Sequence, residues 1–397
     1  MLQFANQAYR NHVYVSLEVD EFIVREINRD MRPQSVLAAL SQYRGVAIDP
    51  GNTLVILDEI QNCERALTSL KYFAEEMPEL DVMAAGSLLG VAINRKKYSF
   101  PVGKVETLQM HPLDFEEYLD AIGKQERALE IRKAFTERIA LPEYIHEELM
   151  RDYRAFLLHG GMPAVVRSRL GGDTFGASRA IANGIVTQYL ADMSKYCGSG
   201  ESVKIRMAYD SIPAQLAKEN TKFQYGAAKK GASSSYFGSA IDWLKASGTV
   251  LMCRRIQHGL YPPASQMDVS AFKLYMSDVG LLSARTLMTA ENLLASPSDS
   301  SGFRGAMAEN HVACALQSNG HELFYWESDG KAEVDFVVAR EGAAIPIEVK
   351  AAENTKSKSL AVYLGKYAAP YAIRMSGKNF GWTEKIHSMP LYAAYLI

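Results

Sequence analysis

The stretch TLVILDEIQ, Thr53 to Gln61, constrains this chain more than any other. Leu54 to Leu57 is an unbroken apolar run of strand length, which suits a strand buried on both faces of a parallel sheet. The run ends abruptly on two carboxylates, Asp58 and Glu59. In open α/β sheets ligands gather at the carboxyl ends of the strands. A carboxylate delivered there can hold Mg²⁺ directly or through water, and its neighbour can polarise an attacking water, as nucleotide hydrolysis requires. Asp58 fits the first role, Glu59 the second, and Ser87, at the tip of the next expected strand, is placed to touch a γ-phosphate. The plainer alternative is that Asp-Glu caps the helix that follows.

The flanking sequence alternates. VYVSL (Val13 to Leu17) and DVMAAGS (Asp81 to Ser87) read as strands, EFIVREINRDM and ERALTSLKYFAEEM as amphipathic helices, and KVETLQM (Lys104 to Met110) as a further strand before LDFEEYL turns helical. Such alternation implies a parallel sheet covered on both faces. A sheet of this kind needs a phosphate loop, GxxxxGK[ST], and the sequence contains none. GAAKKGASS (Gly226 to Ser234) has no Lys after its second Gly and follows a helix, where the motif needs a strand. Twelve residues precede Val13, whereas a strand, the loop and its helix occupy most of a unit of about 30 residues. LQFANQAY, apolar at helical spacing, reads as the tail of that helix. ATP binding by this chain is therefore expected to be impaired.

Beyond residues 1–122, read as an α/β core lacking the phosphate loop, three further parts are expected. Residues 123–200 are helical throughout and read as a lid or connector. Residues 201–292 give three short helices and two strands, TVLMCRRI and FKLYMSD, the pattern of a winged helix. ENLLASPSDSSG reads as a linker, and residues 303–397 as a helix followed by strands. Net charge is −2, so any nucleic-acid footprint has to be local. Cys63, Cys197, Cys253 and Cys314 form no CxxC pair, and the eight histidines show no ligand spacing, which excludes a zinc ribbon and fits a reducing compartment. No apolar run approaches the roughly 20 residues that span a bilayer. The expected location is the cytoplasm, without a membrane partner.

In AIPIEVKA, Glu348 and Lys350 stand two apart on a strand and leave the same face. Asp335, in EVDFVV, lies on the expected neighbouring strand. Glu309 shares a helical stripe with Val312, Ala313 and Leu316, and an inward-facing carboxylate there needs a metal, a cation or hydrogen bonds. The spacing resembles the PD-(D/E)XK nuclease fold. That resemblance implies that the carboxylates hold Mg²⁺ and that Lys350 orients water or steadies phosphate charge. The alternative is a salt-bridged cluster on a solvated strand face. A third group, Lys229 and Lys230 before the expected recognition helix with Arg254 and Arg255 near the wing, suits phosphate contact with DNA. It equally suits packing between domains.

Taken in order, VYVSLE, LVILDEIQ, AAGSLLG, SFPVG and HPLDFEEYL, with GGMPAVV and YLADMSKY further on, resemble prokaryotic AAA-superfamily ATPases that carry a C-terminal nuclease-like domain of unknown function. The resemblance implies an incomplete P-loop NTPase sheet, a helical lid, a winged helix and a C-terminal restriction-endonuclease-like α/β domain. It makes Asp58 and Glu59 the Walker B pair and Ser87 a sensor, with ATP and Mg²⁺ as ligands. It also places Lys104 of SFPVGK where the family usually has an arginine, which keeps the charge without the planar fork. The strand leading into the phosphate loop would lie between Asp81–Ala85 and Val105–Met110, so a gap or frayed edge is expected there, with Asp58 open to solvent. Two other functions fit the sequence. One is a Mg²⁺-dependent DNA nuclease on a scaffold sheet; the other is a non-catalytic module binding DNA, a protein partner or a second copy of itself.

Overall fold

The computed structural model describes residues 1–86, 102–218, 221–286, 289, 301–328, 332–351 and 358–397. The chain forms two compact units, Met1–Met110 and His111–Ile397.

In the first unit, three parallel strands, β1 (Asn11–Ser16), β2 (Thr53–Asp58) and β3 (Val82–Ala84), lie in the order β1-β2-β3. Strand β2 is central and buried along its length until Asp58. Its side chains alternate between two apolar layers. Val55 and Leu57 join Val13, Val15, Ile23, Leu40 and Phe73, contributed by β1 and the helices α2 (Glu21–Arg29), α3 (Pro33–Arg44) and α4 (Glu64–Glu76). Leu54 and Ile56 face the other way and meet Ala5 of the short helix α1 (Leu2–Ala8). The expected strand Lys104–Met110 does not form. That segment is irregular, and Leu108 and Met110 are exposed. Without a neighbouring strand to exchange hydrogen bonds, an isolated extended segment gains little. Among the described residues β3 is therefore an edge, three residues long and half-buried throughout.

The second unit opens with helices α5 (Phe115–Ala121), α6 (Gln125–Glu137), α7 (Glu143–His159), α8 (Pro163–Leu170) and α9 (Phe175–Tyr196), matching the helical stretch read from the sequence. Asp114 and Glu117 close a reciprocal capping box on α5, which satisfies two of its otherwise unpaired backbone donors. Next come α10 (Ser199–Leu216), α11 (Tyr225–Ala228), α12 (Ser234–Ala246) and the antiparallel hairpin β4 (Val250–Ile256) and β5 (Met267–Met276).

The three helices and hairpin are those expected, but the hairpin is not a free-standing wing. Strand β4 pairs in parallel with β6 (Phe324–Ser328), from Arg254↔Phe324 to Ile256↔Trp326. The hairpin thus forms one edge of an eight-stranded mixed sheet, ordered β10-β11-β9-β8-β7-β6-β4-β5. Here β7 is Ala332–Arg340, β8 Ala343–Val349, β9 Ala372–Ser376, β10 Gly381–Trp382 and β11 Ile386–Pro390. Helices α13 (Val279–Arg285), α14 (Ser301–Ser318) and α15 (Lys358–Lys366) complete the unit. One continuous apolar core runs from Phe237 and Leu244 of α12 through Tyr275 and Val312 to Phe336 and Ile347. The joined sheet sets residues of β5 beside those of β7 and α14.

Candidate functional site

In the first unit, Asp58 ends β2 at the carboxyl edge of the sheet, as the sequence implied. Its Oδ2 accepts a 2.6 Å hydrogen bond from the Tyr14 hydroxyl of β1, and its Oδ1 accepts the Glu59 amide at 3.1 Å. The bond to Asp58 is the main reason the Tyr14 hydroxyl is pushed up to about 12. Glu59 adopts the left-handed backbone conformation, φ 54° and ψ 43°. That conformation costs a non-glycine residue energy and is found disproportionately at functional turns. Gln61 donates to Glu59 Oε2 at 2.5 Å, and the tips of β2 and β3 are tied by Ala85 N to Leu57 O and Ile60 N to Ala85 O, both 2.9 Å. Asp58 and Glu59 are both half-buried, so two carboxylates reach the surface at one sheet edge.

Ser87 lies outside the described residues. Lys104 is not brought to this edge. Its Nζ pairs with Glu75 Oε1 at 3.2 Å, near the carboxyl end of α4. Helix α4 starts just after Asp58 and runs 13 residues, so its far end is about 20 Å away from the carboxylates. Lys104, expected with Asp58 and Ser87 at the nucleotide, therefore stands away from Asp58 and Glu59 within this unit. Tyr14 carried no sequence signal of its own, being one residue in an ordinary strand.

In the second unit, Glu309 of α14, Asp335 of β7, and Glu348 with Lys350 at the end of β8 converge on one side of the sheet, but their partners are not those of a metal site. The sequence missed a lysine. Lys273 of β5 is 1% exposed, and its Nζ pairs with Glu333 Oε1 and stands 4.0 Å from Glu309 Oε2. Its ammonium also faces the Tyr325 ring, 4.9 Å from the centroid. Burial works against the charge on Lys273, but the carboxylates of Glu309, Glu333 and Asp335 outweigh it and raise its pKa. Glu309 Oε2 further accepts the Tyr275 hydroxyl at 3.1 Å, and Asp335 Oδ2 accepts the Val349 amide at 2.7 Å. Glu348 Oε1 pairs with Lys350 Nζ at 2.8 Å. Burial, then the Glu309 carboxylate, raises Asp335 well above the ordinary carboxylate range. Burial likewise raises Glu309. Among the described residues, no three His, Cys, Asp or Glu side chains converge as a metal-holding group. Of the three carboxylates expected to hold Mg²⁺, Glu309 faces the Lys273 ammonium, Glu348 pairs with Lys350, and Asp335 accepts the Val349 amide.

The basic residues divide. Arg255 is held by Asp268 at 2.5 Å and Glu327 at 3.5 Å, which ties it into the sheet edge instead of leaving it for phosphate. Arg254 is half-buried on β4. Lys229 and Lys230, by contrast, line a concavity of about 370 Å³ with Lys204, Ser233, Ser235 and Tyr236 at the start of α12. Lys229 Nζ donates to the Tyr236 hydroxyl at 2.8 Å and sits over that ring, and Lys204 approaches the same ring at 4.9 Å.

The four cysteines form no disulfide; Cys63 and Cys253 are buried, Cys197 and Cys314 half-buried. Among the described residues no helix is long and apolar enough to cross a membrane.

Comparison with known proteins matches families to three parts of the chain. Residues 1–119 match the AAA domain family, residues 150–292 a domain of unknown function (DUF8612), and residues 304–394 a domain of unknown function (DUF4143). A Walker-type ATPase of Pyrococcus abyssi aligns with 71% of this chain and 85% of its own at 12% identity, with a TM-score of 0.41. No curated protein matches the chain at a significant level. The chain thus joins an AAA-type, ATPase-like domain to a C-terminal DUF4143 domain, the combination that its motifs resemble.

Proposed function

We propose that the protein is an ATP-binding protein of the AAA superfamily in which Asp58 holds nucleotide-bound Mg²⁺ and Glu59 orients the attacking water. The observation that carries this reading is the delivery of both carboxylates by the buried central strand β2 to the carboxyl edge of the sheet, with Glu59 in a left-handed turn. Magnesium would be held by Asp58, which is half-buried and reaches the surface; when bound with ATP it supplies charge neutralisation at the phosphates. The remaining parts of such a site, backbone amides and a lysine that cradle the β and γ phosphates, belong to GxxxxGK[ST], and the sequence has no such run. Binding of Mg-ATP by the 397-residue chain is therefore expected to be weak, with a dissociation constant above about 100 μM, equivalent to less than about 5.5 kcal/mol. Titration with a fluorescent ATP analogue checks this. Micromolar binding that disappears in Asp58→Ala would overturn the weak-binding half of the proposal and leave the role of Asp58 standing.

A second reading is contact with DNA by the His111–Ile397 unit. It is favoured by the lysine-lined concavity at the start of α12, where Lys204, Lys229 and Lys230 stand beside two serines. Cleavage by Asp335, Glu348 and Lys350 would need a divalent ion where Glu348 is already paired with Lys350 and Asp335 already accepts the Val349 amide, so contact without cutting suits the geometry better. Lys229→Ala with Lys230→Ala is expected to weaken binding to any duplex sequence and to reduce the slope of log K against log salt by about 2. An unchanged slope would remove these lysines from the interface.

A further inference from the structure

We infer that the Lys273 ammonium is the resident cation of the C-terminal carboxylate cluster, standing in the place of a divalent ion and excluding Mg²⁺ and Mn²⁺ from Glu309, Glu333 and Asp335. This is independent of the nucleotide reading, since it concerns a different unit and no ATP.

The spacing of Asp335, Glu348 and Lys350 implies a metal, but the surroundings do not fit one. A hard divalent cation of this kind takes about six oxygen ligands, with lone pairs free to meet it. Here one oxygen of each carboxylate is already engaged, Glu309 Oε2 by the Tyr275 hydroxyl with Lys273 facing it, Glu333 Oε1 by Lys273, Asp335 Oδ2 by the Val349 amide, and Glu348 Oε1 by Lys350, and a positive charge already stands among them. The ammonium is built in. Lys273 is 1% exposed on a strand whose next residues, Leu274 to Met276, are all buried, and the Tyr325 ring closes over it. A charge so buried persists only where it is paired, and the pairing with Glu309 and Glu333 supplies that. A tethered cation also has the advantage of high effective concentration over an ion from solution. Bringing a doubly charged ion to the same carboxylates would set it a few ångströms from the ammonium, where repulsion in a poorly screened interior is large.

Lys273 lies outside the segment that bears the nuclease-like motif. It comes from FKLYMSD, 60 residues before Glu333, and reaches the cluster only because the hairpin β4–β5 continues the C-terminal sheet. The motif residues can therefore be present while the ion they suggest is shut out by a side chain from the preceding segment.

Manganese binding, followed by the electron paramagnetic resonance signal of free Mn²⁺ in titrations of the full chain, tests this directly. Wild type is expected to show no Mn²⁺ site that depends on Asp335, so wild type and Asp335→Asn titrate alike. Lys273→Met is expected to gain an Asp335-dependent site at least about ten-fold tighter than any Mn²⁺ binding by wild type, set by removing a nearby positive charge, and Lys273→Met with Asp335→Asn is expected to lose it. Lys273→Arg, which keeps the charge, is expected to behave as wild type. An Asp335-dependent site in wild type, or a folded Lys273→Met protein without a gained site, would overturn the inference. If Lys273→Met does not fold, the wild-type and Asp335→Asn pair decides alone: equal titrations support the resident ammonium, and a site lost in Asp335→Asn refutes it.

Discussion

Gly161→Ala is expected to destabilise the His111–Ile397 unit by about 3 kcal/mol or more, at the upper end of what overpacking costs. The residue needs no special backbone angle; what it needs is space. A Cβ on Gly161 would stand 1.8 Å from the Leu113 carbonyl oxygen and 2.7 to 2.8 Å from two further backbone atoms of that residue. None of these can swing aside as a side chain end could. The same glycine holds the turn between α7 and α8 through two hydrogen bonds, accepting from Leu113 N at 2.8 Å and donating to the buried Asp278 carboxylate at 2.7 Å. Relieving the clash therefore strains both. Across the contact, a Cβ on Gly280 would meet the His159 carbonyl oxygen at 2.1 Å, so two chain segments approach backbone to backbone here. Gly238, inside α12 with nothing within 4 Å of its Cβ position, provides the contrast. Gly238→Ala is expected to stabilise by about 0.5–1 kcal/mol, because the unfolded chain loses freedom that the helix never used. Urea unfolding of the two variants beside wild type separates these outcomes by sign. Equal stabilities would show that the Leu113–Gly161 approach relaxes freely.

The glycines of GGM were legible in the sequence as a turn, yet nothing local told which of them was crowded, because Leu113 and Asp278 lie far away along the chain. The same division runs through the whole molecule. Apolar runs and helical stripes gave the strands of the first unit, its helices α2 and α4, the helices between residues 115 and 196, and the strands bearing Asp335 and Glu348, since burial on one or both faces writes its period into the residues themselves; α3 was not read. KVETLQM has the composition of a strand without a neighbour, and composition cannot supply one. The last strands, β9 to β11, are short, and Leu391–Leu396 packs into the core as a turn of 3₁₀ helix, too brief to show a period. Hairpin β4–β5 was visible as two neighbouring runs, but its parallel pairing with β6 leaves no turn signal to read. Lys273 follows from that pairing. In AFKLYM, strand alternation sets Lys273 on the face opposite Phe272, Leu274 and Met276, so the local sequence reads it as a solvated lysine and names neither its burial nor Glu333 or Glu309.

Acid is expected to act on the second unit through groups that oppose one another, so single variants will reveal more than wild type. His311 is 3% exposed, ringed by Tyr153 and Phe156, and burial lowers its pKa from the ordinary 6.5 to about 4, although Nε2 lies 3.2 Å from the Leu391 carbonyl. Burial, helped by Arg169 and Arg179, takes His159 to about 4 as well. A histidine depressed in the folded state contributes stability that is present above its unfolded value and lost as pH falls through its folded value. Each is thus worth about 3 kcal/mol at pH 7 and little below pH 4, at about 1.4 kcal/mol per unit. Asp278 runs the other way. Burial raises it from 3.8 to about 6 despite three backbone donors, so its contribution of about 3 kcal/mol is full below 3.8 and lost as pH rises through 6. Glu309 and Asp335, also raised by burial, share that direction. In wild type the losses from the two histidines between pH 7 and pH 4 are therefore partly offset by the gains from the three carboxyls. His311→Gln, whose amide can still donate to Leu391, is expected to cost about 3 kcal/mol less at pH 4 than at pH 7. Asp278→Asn is expected to cost more at pH 4 than at pH 7 by a similar amount. Urea midpoints at the two pH values measure both, and penalties independent of pH would show that neither side chain changes its proton affinity on folding.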